Sequence, residues 1–170
     1  YCNDMVLSMY AKDQVQRYEF DKFNRQVFAI DALGGVTKLE YDANGNLLKR
    51  IEYAARISSA QSAAAVAAMP ASDRVTTTRY DAANRAIWQS NAVGGVTRTE
   101  YDANGNVIRS TEFAKGTTPG SDPSLVVAAA ASDRVTVQAY DKADRRTYRV
   151  DAMGYAQLET YDAAGNVVTR

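Results

Sequence analysis

The hexapeptide Tyr41-Asp42-Ala43-Asn44-Gly45-Asn46 returns 60 residues later as Tyr101-Asp102-Ala103-Asn104-Gly105-Asn106, and after another 60 as Tyr161-Asp162-Ala163-Ala164-Gly165-Asn166. A looser form keeps the same step: Phe20-Asp21-Lys22-Phe23-Asn24, Tyr80-Asp81-Ala82-Ala83-Asn84 and Tyr140-Asp141-Lys142-Ala143-Asp144. Self-similarity at a fixed period decides architecture, because each unit must bury its apolar surface against copies of itself. The 170 residues therefore divide as one repeat array: 1–40 partial, 41–100, 101–160 and 161–170 partial. Asp13, Asp73 and Asp133 keep the step, and Val6 and Met9 match Val66 and Met69, so the chain reads as a window from a longer array.

The motif is a turn specification. An Asp side chain accepts hydrogen bonds from backbone N–H groups two residues on, which nucleates a turn. The last loop position needs a left-handed backbone, tolerated by Gly and, next best, by Asn and Asp. That position holds Asn24, Gly45, Asn84, Gly105, Asp144 and Gly165. A related loop lies between these motifs: Asp31-Ala32-Leu33-Gly34, Asn91-Ala92-Val93-Gly94 and Asp151-Ala152-Met153-Gly154. Turns every ten or eleven residues leave strands of about six residues. Segments such as Val75-Thr76-Thr77-Thr78-Arg79-Tyr80 are β-branched and alternating, as strands should be. The expected fold is mainly β: an antiparallel meander strip. Two loop geometries fit the spacing. A four-residue loop puts Tyr41 and Leu48 on one buried face, opposite Lys38, Glu40 and Lys49; a three-residue loop with a bulge pairs Tyr41 with Leu47.

Every second interval carries about 18 extra residues, at about 54–72 and 114–132. Ser58 or Ser59 can cap an Ala-rich run that stops at Pro70, and Asp122-Pro123 suits the start of a second. Short helical insertions are expected there every 60 residues, leaving one edge of the sheet as a row of ridges.

Composition narrows the function. The net charge is zero with no basic stripe, which argues against nucleic acid. No apolar run reaches the length of a membrane-spanning helix, about 20 residues. With no His and one Cys, Cys2, the usual zinc, copper and haem ligand sets are missing, no internal disulfide can form, and a His-dependent nucleophile has no base. No cofactor is expected. The Asp residues recur in every unit, whereas catalytic residues occur once, so the expectation is a protein that is not an enzyme. Turn capping explains these aspartates better than calcium, because the EF-hand and nonapeptide spacings are absent.

The six aromatic-Asp motifs, three of them of the form aromatic-Asp-x-x-Gly-Asn with a second Gly some ten residues earlier and three with Asn or Asp in place of that Gly and Arg after it, resemble the YD repeats of RHS proteins over residues 13–53, 73–113 and 133–170. The resemblance implies a β-strip that spirals into a hollow shell, as in bacterial RHS toxins and Tc-toxin subunits, where it encloses a cargo domain, or in teneurin adhesion ectodomains. It implies a structural role in a secreted or cell-surface bacterial protein, with neighbouring repeats and an enclosed toxin or cargo domain as partners. The residues that carry it are Phe20, Asp21, Tyr41, Asp42, Gly45, Tyr80, Asp81, Tyr101, Asp102, Gly105, Tyr140, Asp141, Tyr161, Asp162 and Gly165, with Gly34, Gly94 and Gly154. The alternative is an adhesive, glycan-binding module, for which Trp88 (counterparts Phe28 and Tyr148) is the candidate contact; packing between layers is the competing role for that ring. A β-propeller with one four-stranded blade per unit also fits the period. Open strip edges leave self-assembly end to end available.

Overall fold

The computed structural model describes residues 5–7, 15–58, 61–68, 71–126, 128 and 131–169. Cys2, Met9, Asp13, Ser59, Met69 and Pro70 lie outside them. Twelve strands form one antiparallel meander in strict chain order: β1 Met5–Leu7, β2 Gln16–Phe20, β3 Gln26–Ile30, β4 Gly35–Tyr41, β5 Leu47–Arg56, β6 Arg74–Tyr80, β7 Ala86–Ser90, β8 Val96–Tyr101, β9 Val107–Glu112, β10 Arg134–Tyr140, β11 Arg146–Val150 and β12 Ala156–Leu158. A final hairpin, β13 Thr160–Tyr161 with β14 Val167–Thr169, continues the pattern after a break at Glu159. The propeller reading falls here. Blades would be separate sheets, but β5 pairs with β6 and β9 with β10, so the ladder runs unbroken across every unit boundary.

The hairpins adopt the bulged geometry. Tyr41 pairs with Leu47 while Glu40 pairs with Lys49, so one extra residue sits opposite the pair. The same shift occurs at Phe20–Gln26, Tyr80–Ala86, Tyr101–Val107, Tyr140–Arg146 and Tyr161–Val167. Asn24, Asn84 and Asp144 have φ of 59°, 59° and 58°, and Gly45, Gly105 and Gly165 have 90°, 96° and 87°. Each of these residues closes its turn with a bond from its N–H to the carbonyl of the Asp, as Asn24 N does to Asp21 O and Gly45 N to Asp42 O, and the register shifts by one residue there.

Cross-strand partners share a face. One face therefore carries Phe28, Ile30, Val36, Lys38, Glu40, Lys49, Ile51 and Val75 in the first unit, and Arg79, Trp88, Ser90 and Val96 in the next. The expectation that the face of Lys38, Glu40 and Lys49 is the solvated one needs correction. It holds the most buried side chains of the sheet, Ile30, Val36 and Val96. The opposite face is rich in hydroxyls and ion pairs, including Thr78, Gln89, Thr97, Thr99, Ser110 and Thr136.

The helical insertions also need correction. Among the described residues each contains a single 3-10 turn, Ala63–Ala65 and Pro123–Leu125, and no longer helix. They are straps. Each leaves the edge after β5 or β9 and folds back over the buried face. The reason is physical: an isolated helix of this length is marginal in water, because nucleation fixes several residues for one hydrogen bond. Strap N–H groups find partners on the sheet instead. The local capping logic survives at Asp122, whose side chain accepts from Ser124 N with Pro123 at the first position, whereas Ser62 makes no side-chain cap.

The core is correspondingly thin. Ile30, Val36, Ile57 and Ala63 form one buried cluster, with Phe28, Tyr53 and Val66 packed against it. The chain exposes 11334 Å², whereas a compact monomer of this mass exposes ~8200 Å². An open strip, not a globule, accounts for the difference.

Candidate functional site

Two constellations recur every 60 residues: a polar clasp along the rim of Tyr-Asp turns, and the strap with its cradle.

On the rim, each Asp organises its own loop. Asp42 Oδ1 accepts from Asn44 N at 2.9 Å and Asn46 N at 2.8 Å, and Oδ2 accepts from Asn46 Nδ2. Asp102 and Asp162 do the same. In the alternate loops an arginine replaces that asparagine. Arg85 pairs with Asp81 at 2.8 Å, donates to the carbonyl of Asp102 at 2.8 Å, and stacks over the Tyr101 ring at 4.7 Å. Arg25 bonds the Asp42 carbonyl and stacks on Tyr41 in the same way, and Arg145 does so with Asp162 and Tyr161. The next gap is bridged by amides: Asn44 and Asn46 both donate to Asn84 Oδ1, and Asn104 and Asn106 to Asp144 Oδ1. One polar chain therefore links all six turns. The tyrosine hydroxyls tie the neighbouring hairpin: Tyr41, Tyr101 and Tyr161 donate to the carbonyls of Gln26, Ala86 and Arg146.

These bonds hold the carboxylates ionised. Backbone and side-chain donors of Arg25 lower the pKa of Asp21, and those of Arg85 and Arg145 lower Asp81 and Asp141. The Asn46, Asn106 and Asn166 side chains do the same for Asp42, Asp102 and Asp162. A carboxylate that accepts several N–H bonds is a structural acceptor with its lone pairs committed. Among the described residues no group of three His, Cys, Asp or Glu is placed to hold a metal ion.

On the opposite rim, the Asp31, Asn91 and Asp151 side chains cap the shorter loops. Gly34 and Gly94 seat the straps. Ile57 N donates to Gly34 O at 2.9 Å and Thr117 N to Gly94 O at 2.8 Å. A Cβ on either glycine would lie 2.0 Å from the carbonyl oxygen of Ile57 or Thr117. Gly154 has open space around it. Farther on, Ala63 and Pro123 occupy equivalent positions and are almost fully buried, against β3 in one unit and β7 in the other. The tethers differ in chemistry but not in place. Arg17 donates to Gln61 O and Glu19 accepts from Ala63 N in the first unit. In the second, Thr77 donates to Ser121 O, and Arg79 forms an ion pair with Asp122. The Arg79 guanidinium pulls Asp122 down to about 2. Asp73 and Asp133 close each strap by accepting from Ala54 N and Ala114 N.

Trp88 belongs to this second cradle. Its ring is half-buried and stacks on Phe113 with centroids 5.5 Å apart, and Arg98 lies over it at 5.3 Å. The clasp arginines were legible as a residue five positions after each aromatic, at the 60-residue step. The tethers, 43 or 44 residues apart with different chemistry in each unit, carried no sequence signal.

No family model matches the chain, and no curated protein matches it. Solved structures share its fold. A crystal structure of TcdB2-TccC3-TEV aligns with 97% of this chain at a TM-score of 0.65 and 17% identity. One of TcdB2-TccC3 without its hypervariable C-terminal region aligns with 95% at 0.65 and 16% identity. The chain spans 8% of the length of each matched chain. At this identity the likeness concerns the fold.

Proposed function

We propose that this chain is a non-enzymatic wall segment of a larger RHS-type protein, secreted or surface-displayed by a bacterium, whose β-strip encloses or displays another domain. The observation that carries this reading is the continuous twelve-stranded meander, its hairpins joined by the clasp and its face covered by the straps. The two rims do different work in it. The clasp fixes the spacing of successive hairpins along one rim, and the straps thicken the wall from the other. The wall needs both because a single sheet has too little core to be stiff. The fold shared with TcdB2-TccC3 supports it, as does the separable hypervariable C-terminal region of that protein. By analogy, a variable region of the parent of this chain lies outside the strip.

The test is shape. In solution this chain scatters as a flat, elongated particle, with a radius of gyration above the ~16 Å of a compact 170-residue domain. A chain lengthened by further 60-residue units images by electron microscopy as a curved strip or hollow shell; a solid globule overturns the proposal.

A further inference from the structure

The clasp rim contains a reactive dipeptide that the clasp itself restrains. Of all the asparagines in the chain, only Asn44 and Asn104 precede a glycine. The backbone nitrogen after an asparagine can attack the side-chain Cγ, and glycine hinders that attack least because it has no Cβ. Both asparagines are exposed to water. Two bonds oppose the attack in each turn. Gly45 N donates to Asp42 O and Gly105 N to Asp102 O, at 3.2 Å in both. Asn44 Nδ2 donates to Asn84 Oδ1 at 3.0 Å, and Asn104 Nδ2 to Asp144 Oδ1 at 2.8 Å. The attacking nitrogen is therefore held by its own turn, and the leaving nitrogen by the neighbouring hairpin. Ala164 stands at this position in the third unit and cannot react.

We propose that Asn44 and Asn104 are sites of spontaneous deamidation gated by opening of the clasp, and that conversion of Asn104 locks its clasp open. The Gly105 nitrogen loses its proton to solvent base and attacks Asn104 Cγ. The N–Cγ bond forms, the Cγ–Nδ2 bond breaks, and Nδ2 takes a proton from solvent and leaves as ammonia. Water then opens the cyclic imide at either carbonyl, giving aspartate or isoaspartate. Asn44 reacts by the same steps through Gly45. The partner across the gap makes the two outcomes differ. An aspartate at 44 meets the Asn84 amide, which can turn its NH2 group toward the new carboxylate. An aspartate at 104 meets the Asp144 carboxylate, and neither group has a hydrogen to donate. Like charges at that distance repel. At Asn104, opening permits the reaction and the reaction prevents closing. The inference draws on the clasp geometry alone, so its failure would leave the shell reading standing.

The intact chain is incubated in mildly alkaline buffer made with oxygen-18 water, and label taken up at each asparagine is read by peptide mapping and mass spectrometry. Label is expected at Asn44 and Asn104 before any other asparagine. Asn84→Gly keeps the left-handed turn and removes the acceptor. It should speed labelling at Asn44 about tenfold, as the loss of hydrogen bonds that oppose local opening predicts, and leave Asn104 unchanged. Asp144→Gly should do the converse. Asn104→Asp should lower the melting temperature more than Asn44→Asp does, and adding Asp144→Asn should restore it, because an amide can donate to the new carboxylate. Four results would each overturn the proposal: no label at the two sites, equal acceleration at both in either glycine variant, no acceleration in either, or equal melting temperatures of the two aspartate variants.

Discussion

Gly94 lies directly beneath Thr117: the Thr117 amide donates to the Gly94 carbonyl at 2.8 Å, and a Cβ on Gly94 would come 2.0 Å from the Thr117 carbonyl oxygen. Gly154 occupies the same loop position with a similar φ, 87° against 86°, and nothing above it. The pair separates two costs of adding a methyl group. Gly154→Ala should cost only the left-handed strain, about 1–2 kcal/mol. Gly94→Ala should cost more, and should release the second strap. Urea unfolding gives the stability difference, and hydrogen exchange at residues 117–126 reports the release; equal effects of the two substitutions would refute the seat.

Thr117 holds the place of Ile57, and its hydroxyl is buried without a hydrogen-bond partner among the described residues. A buried polar group left unsatisfied costs about 1–3 kcal/mol. Thr117→Val removes the hydroxyl at nearly constant shape. The melting temperature should rise by roughly 2–4 °C; a fall would show that the hydroxyl has a partner.

The clasp needs a planar fork. Arg85 serves an acid, a carbonyl and a ring at once, and an ammonium group cannot reproduce that geometry. Arg85→Ala should lower the melting temperature by about 3–6 °C. Arg85→Lys should recover little of the loss; full recovery would reduce the clasp to simple charge.

Acid should loosen the strip in a defined window. Asp122 titrates at about 2 when folded, against 3.8 ordinarily. Its folded pKa is depressed, so its contribution is fully present above about pH 4 and is lost as pH falls through 2. The six turn aspartates are depressed as well and act with the same sign. Denaturant midpoints should therefore be flat from pH 7 to about 5 and fall steeply below 4. Asp122→Asn should remove part of that slope; a midpoint that rises on acidification would contradict the clasp and the tether together.

The sequence by itself determined the period, the strands and the turns. Asp-x-x-Gly chemistry is local, because the carboxylate, the amides it accepts and the left-handed residue lie within five positions. Asn24, Asn84 and Asp144 were therefore readable one loop at a time. The ambiguity of a bulge was legible too, but not its resolution, since six or seven residues after Tyr41 are both aliphatic. Only tertiary structure decided the insertions. Ala63-Ala64-Ala65 has high helix propensity, yet it forms only a single 3-10 turn, because burying Ala63 and bonding its amide to Glu19 hold the strap against the sheet. A short helix gains too little from propensity to compete with such contacts. The face carrying Lys38 and Glu40 looked solvent-facing for the same reason. Its burial comes from a strap that returns over the strands from more than forty residues away, and no local pattern encodes that return.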